Sequence, residues 1–114
     1  MMRTIPVETQ YGVIYGRNAL INKSHDISFT PFTVTLTCSL SLAACIPEIR
    51  NVPDVEVTFK FIKIKKICIY KIDDYPYEKY SSSSFDKVDG EHTRYALTTY
   101  DHVFDITGEL ESFL

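Results

Sequence analysis

The sequence predicts an all-β domain, an antiparallel β-sandwich or partly closed barrel of about seven or eight strands with little helix. Three observations carry this. "TVTLTCSLSL", Thr33 to Leu42, alternates Val34, Leu36, Cys38, Leu40 and Leu42 with Thr or Ser, the period of a half-buried strand. "VEVTFKFIKIKKICIYK", Val55 to Lys71, is rich in β-branched and aromatic residues and also alternates. No stretch of twelve residues shows the i, i+3, i+4, i+7 apolar spacing of an amphipathic helix.

Taken in order, Tyr11, Val13 and Tyr15 alternate in a short strand that ends in a turn at Gly16 to Asn18. "HDISFTPFT" predicts a strand from Ile27, with Pro31 confining it to an edge or a bend and His25 at a polar strand entry. After the Thr33 to Leu42 strand, Ala43 to Asp54 holds two prolines and an Asn and reads as a connection with one helical turn. In the next segment Val55, Val57, Phe59 and Phe61 share one face, and then Ile62 and Ile64 take over. A phase slip flips every later side chain, so a bulge or bend is required there. An unbroken strand of this length would span about 60 Å, which calls for two strands or one strongly bent strand. "DDYPYEKYSSSSFDKVDGEH", Asp73 to His92, is a loop with a short strand near Phe85 to Val88. Strands from Arg94 to Tyr100 and from His102 to Thr107 follow, and "TGELESFL" suits one or two helical turns.

The 114 residues suffice for one domain, residues 1–114, with a core that needs no staples. The formal charge of −3 is unevenly spread: residues 1–72 carry +4 and residues 73–114 carry −7. In a sheet that interleaves distant strands these halves neutralise each other; otherwise the acidic part faces a basic partner. Cys38, Cys45 and Cys68 are odd in number and lack CxxC spacing, which predicts reduced thiols in a cytoplasmic protein. No apolar leader or run long enough to span a bilayer is seen, so no membrane association is expected.

Chemical motifs are sparse. Tyr100, Asp101, His102 and Asp105 crowd together, but neighbours on a strand point to opposite faces, and a polar turn explains them. "DGEH", Asp89 to His92, fits a solvated turn as well as an acid–base pair. Phosphate-binding glycine loops and a GxSxG elbow are absent. Lys60, Lys63, Lys65, Lys66 and Lys71 read as protection of an exposed strand, not as a nucleic-acid surface. The acidic, tyrosine-rich stretch is the best contact surface, because Tyr supplies large area at low entropic cost.

"VEVTFKFIKIKKICIY" and "HTRYALTTYDHVFDITGE" resemble segments of small bacterial all-β domains of uncharacterised or immunity-type function, the latter from polymorphic toxin systems. The resemblance implies a short, acidic, cytosolic domain that neutralises a protein toxin. It assigns no residue a role. Expected, therefore, is a non-enzymatic protein-binding module, without cofactor or metal, whose partner meets Asp73, Asp74, Tyr75, Tyr77, Glu78 and Tyr80. One alternative is a small ligand-binding barrel or enzyme with His92, Asp101 and His102 in a pocket. The other is a structural subunit that pairs with itself, as a homodimer, through exposed strand edges.

Overall fold

The Thr33 to Leu42 alternation holds in space. In the computed structural model, which describes residues 3–77, 83–90 and 92–114, Val34, Leu36, Cys38 and Leu40 are buried while Thr33, Thr35, Thr37 and Ser39 are half-buried. Nine strands occur among the described residues: β1 (Thr4–Pro6), β2 (Val13–Ile14), β3 (Leu20–Phe29), β4 (Phe32–Leu40), β5 (Cys45–Ile46), β6 (Val55–Lys71), β7 (Phe85–Val88), β8 (Arg94–Thr98) and β9 (His102–Phe113). Single 3-10 turns lie at Leu42–Ala44 and Ile72–Asp74. The chain is all-β.

Seven strands form one antiparallel sheet in the order β1-β7-β8-β9-β6-β4-β3, and β2 pairs with β5 apart from it. With β1 and β3 as edges, the sheet is not a closed barrel. It curls steeply instead. The rings of Phe59 on β6 and Phe85 on β7 lie 5.0 Å apart, yet β9 and β8 stand between those strands. In a flat sheet three strand spacings separate them by about 14 Å. The curl brings the Tyr100 amide, past the end of β8, within 2.8 Å of the Leu20 carbonyl on the β3 edge. The two halves thus face each other, as in a sandwich, across one core that includes Val34, Leu36, Phe59, Phe61, Phe85 and Ile106. Ile14, Leu42 and Cys45 belong to the same core.

The slip in the long apolar segment is a bend within one strand. β6 has 17 residues, about 56 Å if straight, whereas the longest dimension of the molecule is 40 Å. Lys63 takes a positive φ of 52°, and the register with β9 breaks between Ile62 and Lys66. Val57, Phe59 and Phe61 are buried before the break and Ile64 within it. Gly108 makes room opposite: a Cβ there would sit 3.0 Å from the Ile62 carbonyl oxygen. β4 pairs with β6 only from Val55 to Phe61, and beyond the bend β6 continues with β9 alone.

Three elements differ from expectation. β3 begins at Leu20, seven residues before Ile27. A bulge at Lys23 explains why: Asn22 lies opposite Cys38 but Ser24 opposite Thr37, so the extra residue breaks the period-two pattern. "TGELESFL" is strand to Phe113, not helix. The apolar residues Leu110 and Phe113 are spaced three apart because Glu111 is bulged out, setting Leu110 opposite Phe61 and Phe113 opposite Phe59. β2 is only Val13–Ile14, shorter than the Tyr11 to Tyr15 alternation, and its buried residue is Ile14. Gly12, at φ 89°, allows that close pairing, since a Cβ would fall 2.0 Å from the Ile46 carbonyl oxygen.

Candidate ligand-binding cavity

The bend in β6 and the curl of the sheet leave a cavity of about 390 Å³ between β3–β4 and the far half of β6–β9. Its apolar lining is Val34, Leu36 and Phe104, which are buried, with Ile27 and Ile67 half-buried and Ile69 at the exposed side. Its polar lining is Asn22, Lys23, His25, Asp101 and His102, with the buried Thr99. The volume lies at the lower end of the range of about 300–1,000 Å³ for small-molecule sites, and an apolar lining with a few polar groups is their usual composition.

Backbone geometry explains each polar position. Residues directly opposite in a ladder share a face, so His25, opposite Leu36, and Ile27, opposite Val34, point inward with their buried partners. Asn22, opposite Cys38, points inward as well. The bulge at Lys23 is what lets Asn22 and His25 occupy one face. Across the cavity, Thr99 ties the turn before β9: its hydroxyl donates to the His102 carbonyl at 3.2 Å and accepts from the His102 amide at 3.3 Å. Arg17 donates to the Tyr100 carbonyl at 3.1 Å and lies over the Tyr100 ring, holding the turn against the start of β3. His102 then shares the inner face with Phe104, their rings 6.4 Å apart. The Asn22 amide nitrogen is shut off from solvent and has no hydrogen-bond partner among the described residues. Lys23 reaches Glu56 at 3.4 Å on the exposed side.

Asp101 and His102 are therefore brought together at the cavity, but His92 is not. It lines a separate depression with Lys63 and Lys65. His25 takes the place expected of His92. Its role was hidden because only the bulge, which no residue in the sequence announces, turns it inward.

The acidic, tyrosine-rich segment has a different arrangement. Asp73, Asp74 and Tyr77 are exposed, and Tyr75 is half-buried. Glu78 and Tyr80 lie outside the described residues. Tyr75 turns onto the outer face of the sheet, where its hydroxyl donates to Asp105 at 3.5 Å and its ring meets Tyr70 at 5.3 Å and Tyr77 at 5.5 Å. Asp105 in turn accepts two hydrogen bonds from Arg94, at 2.6 Å from Nε and 2.5 Å from Nη2, a fork-to-fork pair. That pair raises the Arg94 pKa further, and burial followed by the Asp105 charge pushes Tyr75 well above the ordinary phenol range. The Arg94 guanidinium also lies 5.3 Å from the Tyr77 ring centre. Tyr75 thus packs on the sheet, and Asp73, Asp74 and Tyr77 are the exposed members of the expected contact residues among those described.

In comparisons with known proteins, no family model, no curated protein and no solved structure matches this chain. No helix among the described residues is long and apolar enough to cross a membrane. No group of three or more potential metal ligands occurs among them.

Proposed function

We propose that the protein is a small-molecule-binding module whose site is the cavity between β3–β4 and the far half of β6–β9. The observation that carries this reading is the cavity itself: an apolar lining large enough for a small ligand, with a few inward-facing polar side chains.

The acidic segment supports a second reading, a protein-binding surface for a basic partner. Tyr77 is exposed and already held by Tyr75 and Arg94, with Asp73 and Asp74 exposed nearby in sequence.

One titration separates the two. Benzene added to the labelled protein should shift the amide resonances of Ile27 and Phe104, and Ile27→Trp, which fills the cavity, should abolish the response. No shift at these residues, or a response unchanged in the filled variant, removes the cavity reading and leaves the acidic segment as the functional surface.

A further inference from the structure

Beyond its bend, β6 has one open side. The Ile72 amide donates to the Asp101 carbonyl directly opposite. By the alternation of an antiparallel ladder, Tyr70, Cys68 and Lys66 then turn their backbone groups to Val103, Asp105 and Thr107 of β9. The β8–β9 ladder agrees: His102 and Gly108 bond Thr99 and Thr93, which leaves Val103, Asp105 and Thr107 facing β6. The amides and carbonyls of Ile67, Ile69 and Lys71 therefore point away from β9. No strand lies on that side among the described residues, because β4 pairs with β6 only as far as Phe61. Ile69 is 50% exposed there. The other edges are guarded. β1 has three residues and ends in Pro6. β3 carries the bulge at Lys23, and its Leu20 carbonyl is taken by Tyr100.

The guard on β6 is lysine, and it covers one end only. Lys65 and Lys66 stand at the start of the open stretch, and Asp73 and Asp74 just past its end. All four are exposed, and none is in an ion pair among the described residues. A parallel copy of this edge would set lysine beside lysine. An antiparallel copy sets the basic end of each against the acidic end of the other. We propose that the open edge of β6 pairs with the same edge of a second copy of this chain, antiparallel about a two-fold axis at Ile69. Ile69 then faces the partner's Ile69, Ile67 faces the partner's Lys71, and Lys65 meets the partner's Asp73. Each pair of outward-facing residues exchanges two backbone bonds. Sliding the copies by two residues one way opposes Lys65 to Lys71, which like charge disfavours. Sliding them the other way opposes Ile69 to Lys71 and loses the apolar contact on the axis. Exposed ion pairs are weak, so the charges choose the register while the ladder and Ile69 supply the contact. Pairing requires no ligand in the cavity.

Two measurements on the full chain test this. In sedimentation equilibrium the mass should rise toward that of two chains as concentration approaches about 1 mM, as suits a small interface. Over the same range, amide exchange should slow at Ile67, Ile69 and Lys71. It should stay unchanged at Cys68 and Tyr70, whose amides already face β9. Ile69→Pro removes an edge donor without touching the β9 ladder and should leave a folded monomer. Lys65→Asp should weaken association roughly 2- to 30-fold, since a pair is lost at both ends. Adding Asp73→Lys to it should restore association. A single-chain mass throughout, or a dimer whose newly protected amides lie elsewhere, overturns the pairing. A dimer that survives Ile69→Pro unchanged does the same. A loss in Lys65→Asp that the double exchange does not restore overturns the register. Should Ile69→Pro fail to fold, the amide pattern and the charge exchange decide.

Discussion

At the scale of single residues, the Asp105 carboxylate is 6% exposed, against 29% for the Arg94 side chain that forks onto it. The two partners are therefore not equivalent. Removing Arg94 leaves a buried carboxylate with only the Tyr75 hydroxyl, at 3.5 Å, whereas removing Asp105 leaves a guanidinium that reaches water. Arg94→Ala is expected to cost about 3–5 kcal/mol and Asp105→Ala distinctly less, as measured by urea unfolding. Equal losses would show that burial does not decide the cost. None of this was legible in the sequence, where Asp105 belonged to a polar cluster with Asp101 and His102. Strand alternation correctly separates Asp105 from His102, but only the β8–β9 pairing, with Arg94 opposite Thr107 and Ala96 opposite Asp105, sets the Arg94 side chain beside it. Asn22 shows the same limit: an isolated Asn before a lysine carries no mark of facing a cavity.

At the scale of elements, the bend in β6 was legible as a slip of the apolar phase, because inward-facing side chains have to change parity somewhere between Phe61 and Ile64. Its form was not. Lys63 adopts the left-handed conformation in which a side chain costs about 1–2 kcal/mol, and glycine, which avoids that cost, loses about 0.5–1 kcal/mol of chain entropy instead. Lys63→Gly should therefore be neutral or stabilise by up to about 1 kcal/mol. The exposed ion pair to Glu109, at 3.5 Å, contributes little to set against this. Lys63→Val, with a β-branched side chain at positive φ, should destabilise by at least about 1 kcal/mol. Thermal unfolding of the two variants checks the pair, and the opposite order would exclude a strained bend. The bulges at Lys23 and Glu111 escaped notice for a related reason. Each inserts one residue without Gly or Pro, so one hides the start of a strand and the other imitates helical spacing.

At the scale of the whole molecule, the opposed charges of the two parts of the chain meet across the β6–β9 ladder. Lys60 pairs with Glu111 at 3.0 Å and Lys63 with Glu109 at 3.5 Å. The uneven charge is thus largely internal to the sheet there, as interleaved strands allow. Alkaline pH challenges the fold more directly. Burial pushes the Cys38 thiol from its ordinary 9.0 up to about 12, and Tyr75 is raised as well. The unfolded chain releases the Cys38 proton first, so its contribution to stability is complete below about pH 9 and is lost as pH rises toward about 12. The urea midpoint should fall across that window, and Cys38→Val should flatten the decline; an unchanged slope would remove Cys38 as its cause. The strand order has a further consequence during synthesis. β9 lies between β8 and β6, joining β1-β7-β8 to β6-β4-β3, although it follows all of them in the chain. A ribosome therefore delivers two half-sheets with raw inner borders before it delivers the strand that seals them. Until residues 102–113 emerge, the borders of β6 and β8 are open to pairing with other nascent chains, and that interval is when the chain has most need of a chaperone.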